Sequence, residues 1–257
     1  MKEKINIPHE LFRLKIKEMA EEVRIKFAKK GLSDIFDILS ESSFLIRKPL
    51  DLEELSGFIT YFEDHFIVYL NSNFTLGHER YTAAHELYHI IYNEDILKRE
   101  KVFIDKDKYK EEEEKADVFA AEFLMPEDYV KEVFYKIVNV DKDRLKARHI
   151  VRMHNYFKVS YKAMLKRLVQ LKLCSPKKYF DLIDIASLEN KEKLQALTRE
   201  EGFSLDLIVP SRVTYIPKEY LIYVKSNYEN GKVTYEELKK TLEYIDLRPE
   251  ELGYVKS

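Results

Sequence analysis

A single cysteine, Cys174, stands in 257 residues. No intramolecular disulfide can form and a thiolate-rich metal site is excluded, a usage that suits a reducing compartment. Glycine (6) and proline (7) are almost as scarce, which excludes collagen-like or flexible low-complexity polymers. Long apolar runs are missing too: stretches such as Phe66 to Leu70 extend about five residues, far short of the roughly 20 that span a bilayer. The opening Met1-Lys2-Glu3-Lys4 leads into a charged, amphipathic segment without the apolar core of a secretory signal. These absences set the expectation of a cytoplasmic protein with no membrane partner.

What the chain has is bulk. With 45% hydrophobic and 13% aromatic residues it can bury a sizeable core, and its 33 Tyr and Phe read as core and groove lining. The net charge of −2 hides an asymmetry. Between Lys142 and Lys178 there are twelve Lys or Arg against one acid, Asp143, which leaves the remaining chain at −13. Such a block marks either a surface that meets something anionic or a solvated helix face.

Hydrophobic periodicity organises the chain as α+β. Leu11, Met19, Val23 and Phe27 lie on one helix that stops near Gly31, and Ser33 is expected to cap a second helix through Leu39. Phe44 to Arg47 is strand-like, and Asp51 to Leu55 reads as a short acidic helix. Gly57 to Tyr61, a turn at Glu63-Asp64, and Phe66 to Leu70 read as a β-hairpin. Helices are then predicted over Glu79–Tyr92, Glu111–Leu124, Glu127–Val138, Arg144–Phe157 and Tyr161–Leu173. Past Pro176 the pattern weakens: a strand over Leu205 to Val209, a helix over Lys218 to Tyr228 ended by Asn230-Gly231, and a capping box of Thr234 with Glu237.

The chemistry concentrates in Tyr81-Thr82-Ala83-Ala84-His85-Glu86-Leu87-Tyr88-His89. Four residues apart on a helix, His85 and His89 can turn their imidazoles to one divalent ion, with zinc as the expected cofactor. Glu86, one position round, reaches a water on the metal and can act on it as general base. A third protein ligand is expected from another helix. In Glu111 to Pro126 the apolar stripe Ala116, Phe119, Ala120 and Phe123 places Glu113 on the inward side as that ligand. Asp117, one turn on, is placed to accept the other N–H of a ligand histidine. Glu111, Glu112 and Glu114 read as an acidic first turn complementing the helix dipole. The second hairpin strand, Ile67, Val68, Tyr69, Leu70 and Asn71, is expected to offer an edge to which an extended peptide substrate adds.

Joined together, Arg80 to His89 and Glu113-Glu114-Lys115-Ala116-Asp117-Val118-Phe119-Ala120-Ala121-Glu122-Phe123-Leu124-Met125-Pro126 resemble the ImmA/IrrE metallopeptidases, over roughly residues 10 to 175. Phe123 stands where Leu is usual and Tyr88 where Gly is common. The resemblance implies a zincin-like fold, zinc held by His85, His89 and Glu113, and Glu86 as catalytic base. It further implies a site-specific protease that cleaves or inactivates a helix-turn-helix repressor, derepressing a mobile element or a stress response. It does not settle which group polarises the scissile carbonyl, for which Tyr88, Arg80 and His78 are candidates. The organisation expected is a peptidase domain with a small sheet over 1–138, a basic helix-turn-helix-like segment over 139–178, and a mostly helical C-terminal region, 179–257, to which no role is assigned.

Within the basic block, Tyr161, Met164, Leu165 and Leu168 form the inward stripe of a helix capped by Ser160. Lys162, Lys166 and Arg167 are expected to point outward as a binding face, for nucleic acid or for an acidic protein. His149 and His154, five apart and without carboxylates nearby, read as packing or solvent-exposed residues, and Cys174 as a small apolar filler. The rival to the peptidase reading is therefore a DNA- or protein-binding regulator in which the metal is structural or lost.

Overall fold

The computed structural model describes residues 10–101 and 109–255, so the opening Met1-Lys2-Glu3-Lys4 lies outside the described residues. The expected α+β class holds: twelve α-helices accompany one three-stranded sheet among the described residues. None of those helices is long and apolar enough to cross a membrane. The first apolar stripe becomes α1 (Glu10–Ala28), burying Ile16, Ala20, Val23 and Phe27. Gly31 then turns the chain at φ 76°, a conformation open to a residue without Cβ. Helix α2 (Ile35–Ser42) is capped by Asp34 rather than Ser33: the Asp34 carboxylate accepts from the Phe36 amide at 3.0 Å, and an ionised acceptor holds a helix N-terminus better than a hydroxyl.

Strands β1 (Phe44–Lys48), β2 (Gly57–Phe62) and β3 (His65–Asn71) form a sheet in the order β1-β3-β2, with β3 parallel to β1 and antiparallel to β2. Glu63 and Asp64 both adopt positive φ, 44° and 62°, the two-residue turn whose twist matches a hairpin. Two expectations fail here. Ile67, Val68, Tyr69, Leu70 and Asn71 lie on the central strand, bonded to a neighbour on each side, and so offer no edge. The apolar run Phe66 to Leu70 fits a strand bonded on both edges, with Val68 and Leu70 buried on one face and Ile67 and Tyr69 half-buried on the other. Nor is Asp51 to Leu55 a helix. The Asn71 side-chain amide donates to the carbonyls of Leu50 at 2.9 Å, Leu52 at 3.3 Å and Leu55 at 2.9 Å, binding the segment as a loop.

Helix α3 (Leu76–Tyr92) is capped by Thr75 and buries residues all round, because α2, β2 and β3 pack on it from one side and α5 (Lys110–Leu124) from the other. Between these two comes α4 (Glu94–Glu100), which periodicity did not reveal. Ala83 and Ala84 on α3 and Ala116 and Ala120 on α5 are fully buried, and such small residues let the two helix backbones approach. Together with Phe27, Leu39, Leu45, Val68, Leu87 and Phe119 they make the first core.

A second core is wholly helical. It joins α6 (Glu127–Ile137), α7 (Ala147–Phe157), α8 (Tyr161–Gln170), α9 (Pro176–Ile183) and α10 (Lys191–Glu200) around Val130, Phe134, Ile150, Met153, Met164 and Leu168. Cys174 is buried in it, as expected of a filler. The chain then returns to the sheet. Leu205 to Val209 is a turn and not a strand, since the Ile208 and Val209 amides both bond the Leu205 carbonyl while Ile208 packs on the second core. Beyond it, Tyr215 exchanges two backbone hydrogen bonds with Arg47 along β1. A small third core pairs α11 (Lys218–Glu229) with α12 (Tyr235–Glu243), the latter opened by the expected Thr234–Glu237 capping box.

Candidate metal centre

Four residues apart on α3, His85 and His89 stand one above the other, and their Nε2 atoms come within 3.2 Å. Glu113, in the first turn of α5, meets both: its carboxylate oxygens lie 3.5 Å from His85 Nε2 and 3.3 Å from His89 Nε2. One ligand atom from each of the three falls within 4.8 Å of the others, a grouping that could hold a metal ion. Two imidazole nitrogens and one carboxylate oxygen are a donor set that zinc accepts in its catalytic sites.

The other nitrogen of each ring is occupied, which fixes its tautomer. His85 Nδ1 donates to Asp117 Oδ1 at 3.1 Å, the partner that periodicity had placed there. His89 Nδ1 donates to Asn93 Oδ1 at 2.9 Å, a partner the sequence reading missed. Asn93 in turn donates through Nδ2 to Glu112 Oε2 at 2.7 Å, so its oxygen must face the imidazole. Glu112 also accepts from the Tyr88 hydroxyl at 3.1 Å and from Lys115 at 2.7 Å, and is not only an acid facing the helix dipole. The signal for Asn93 was available: it follows His89 by the same four residues that separate the two histidines.

Electrostatics follow the geometry. Burial works against a charged His85, yet the hydrogen bonds to Asp117 and Glu113, with Glu86 and Asp117 adding their charge, push it up to about 10. Glu113 is partly buried, which opposes its ionisation, but the two imidazoles hold it well below the usual carboxylate range. The three side chains thus already share the charge that a cation would take over, exchanging a proton for metal. Glu86, next to His85 in sequence, is itself buried.

Each of the candidates for polarising a carbonyl already has a partner, His78 through Nε2 on the Ser56 hydroxyl at 2.8 Å. Tyr88 is buried with its hydroxyl on Glu112, and Arg80 pairs with Asp34 at 2.7 Å. His78 does line a pocket beside the cluster, together with Tyr81, whose hydroxyl donates to the Asp117 carbonyl at 2.8 Å.

Of the expected basic face, Lys162 is exposed and Lys166 half-buried, both on that same pocket, whereas Arg167 departs from the expectation. It is 1% exposed, with its guanidinium 2.5 Å from the Glu122 carboxylate and donating to the Met125 carbonyl at 3.0 Å. The helical wheel placed it outward. However, α8 is covered on that side by the end of α5, and a buried carboxylate there needs a cation. Glu122 also meets Arg13 of α1 at 3.1 Å, so one ionic knot ties α1, α5 and α8 together. His154 is fully buried, its Nδ1 donating to the Val159 carbonyl at 3.1 Å, and belongs to packing as expected.

Compared with known proteins, residues 43–169 match the Peptidase_M78 family, described as an IrrE N-terminal-like domain. No curated protein matches the chain.

Proposed function

The chain belongs, through residues 43–169, to the Peptidase_M78 family and carries its peptidase-type domain; from that premise we propose a zinc-dependent, site-specific endopeptidase that acts on a regulatory protein. The observation that carries the reading is the convergence of His85, His89 and Glu113 from two helices, with both rings already turned by Asp117 and Asn93. Zinc, when bound by these three, supplies a Lewis acid and a water of lowered pKa. The chain's own residues do the rest. Glu86 takes the proton from the attacking water and passes it to the leaving amine nitrogen. Asp117 and Asn93 keep each ring from rotating while charge shifts across the site.

An extended substrate has an edge to add to, on β2 rather than β3. Among the described residues no strand lies along the outer side of β2. The Tyr61 amide already points that way, to the Lys101 carbonyl, and by strand alternation Ile59 and Gly57 present their backbone groups to the same side. Gly57 lies against Thr82 of α3, one turn before His85, so a peptide added there runs beside the metal centre. The substrate expected from the resemblance is a helix-turn-helix repressor.

The test is Glu86→Gln. It leaves the three ligands in place, so bound zinc and melting temperature stay at wild-type values while cleavage of a proteome-derived peptide library falls by about 10²–10⁴-fold. Undiminished cleavage would end the assignment of Glu86 and, with it, the proposed chemistry.

A further inference from the structure

We propose that α8 is a wall of the substrate cleft, and that Lys162 and Lys166 on it select an acidic side chain of the bound peptide close to the scissile bond; the inference rests on the peptidase reading above. Lys162 and Lys166 line a pocket of about 280 Å³ together with His78, Tyr81, Asp117 and Met125. The pocket adjoins the metal centre through Asp117, which both lines it and holds His85.

The wall is fixed in place at both ends. Near its N-terminus, Gly77 of α3 touches the turn before α8 so closely that a Cβ there would fall 2.5 Å from the Ser160 nitrogen. Towards its C-terminus the buried Arg167–Glu122 pair binds it to α5. The two lysines are thus carried by a rigid element at a set position relative to His85, and do not sit on a detached basic surface.

Charge and shape point to one kind of occupant. Ser160 caps α8 and lines the pocket, so the positive end of the helix adds to the two ammonium groups. The field is felt on the opposite wall, where burial and the nearby Lys162 both lower the proton affinity of His78. Asp117 also lines the pocket, with its carboxylate turned to His85. Beneath the lysines the lining is apolar, with Ala121, Met125 and Ala163. An apolar floor under a cationic rim fits a short aliphatic stem ending in a carboxylate, that is, glutamate or aspartate in a peptide, better than it fits a duplex, which needs a convex and open basic face.

The experiment uses the zinc-loaded full chain and a proteome-derived peptide library, with cleaved sites read by mass spectrometry. Retention of the same library on zinc-loaded Glu86→Gln protein supplies a reading independent of turnover. Wild type should enrich Glu or Asp at one position within a residue or two of the cleaved bond. The double variant Lys162→Glu/Lys166→Glu should lose that enrichment by on the order of tenfold and turn towards Lys or Arg, with less contrast as ionic strength rises. Lys162→Gln/Lys166→Gln, milder for the fold and checked by an unchanged melting temperature, should lose the preference without reversing it.

Efficient cleavage with the same site profile in all three proteins would overturn the inference and leave the peptidase intact. No cleavage by wild type, but lysine-dependent retention of acidic peptides on the Glu86→Gln protein, would sink the peptidase and keep the acidic pocket. Retention without any acidic bias would overturn the pocket whatever the turnover. So would a lysine-dependent retention of duplex DNA at low salt with peptide preference unaltered, which would return the segment to nucleic acid.

Discussion

Two pairs of histidines in two cores of this chain have opposite fates. His85 and His89 in the first core stand four apart and face Glu113, with Asp117 and Asn93 behind them, and His85 is pushed up to about 10. His149 and His154, in the second core, stand five apart; His149 is partly exposed, and His154 is sealed among apolar side chains that lower it to about 4. The residue type is the same. What differs is whether helical spacing brings the rings together and whether carboxylates wait for them. The same contrast shows in some of the buried polar groups. In the second core Thr198 and His154 are satisfied within five residues, by the Leu194 and Val159 carbonyls. In the first, Glu112, Asn93 and His89 form a chain that ends on the candidate metal centre.

The contrast breaks most visibly at the metal. His89→Ala or Glu113→Ala should take bound zinc from about one per chain to nearly none, because a site of three ligands rarely survives with two. His149→Ala and His154→Ala should leave the stoichiometry unchanged. Elemental analysis of the purified proteins decides it, and zinc lost with His154 would show that the two pairs are not distinct.

Next in size is the seam between the cores. Arg167→Met leaves Glu122 buried with Arg13 as its remaining partner, and should cost about 3 kcal/mol in urea-induced unfolding, at the lower end of what an orphaned buried charge costs. Lys162→Met, on the exposed rim of the same helix, should change stability by less than about 0.5 kcal/mol. Equal effects would mean that Arg167 is not the anchor its burial implies.

That seam also shows where sequence reasoning ends. The metal centre was legible because its logic is local: 3.6-residue periodicity aligns His85 with His89 and Glu113 with Asp117, and each helix carries its own half of the site. Asn93 obeys the same periodicity but stands one residue past the end of the predicted helix, Glu79–Tyr92, and so fell outside the motif. The fate of Arg167 was not legible, for its partner lies 45 residues away on another helix. Neither was the place of β3. The hairpin could be read from its two runs of β-branched and aromatic residues and the Glu63-Asp64 turn between them, but only the parallel addition of β1 makes β3 central, and strand order is a tertiary fact. The Leu205 to Val209 run failed for a similar reason, since its apolar residues serve a turn packed on helices.

The second core has a pH signature of its own, set by His154. His154 stays neutral when folded down to about pH 4, whereas an unfolded chain binds the proton near the ordinary value of 6.5. Above 6.5 the residue contributes nothing to pH dependence. Stability should fall as pH drops from about 6.5 to about 4, by about 3 kcal/mol at the lower limit, because only the unfolded state takes up the proton in that window. His154→Leu should lose this limb, so that the wild-type-minus-variant difference in urea midpoints falls between pH 6.5 and 4, even though the freed Val159 carbonyl lowers the variant's stability at neutral pH. A difference that is flat with pH would place His154 in contact with water.

The smallest effect tests the support behind the ligands. Asn93→Ala removes the group that turns His89 but leaves all three ligands, so zinc affinity measured against a chromophoric chelator should fall by about 10–100-fold while the melting temperature of the metal-free protein barely moves. Glu112→Gln should lose less. Its amide oxygen can still accept from Asn93 and Tyr88, and what disappears is the charge that makes those bonds strong and holds Lys115 in place. If Glu112→Gln weakened zinc more than Asn93→Ala, the effect would have to reach the metal as charge across the site, and not through the ring orientation that the Glu112–Asn93–His89 chain supplies.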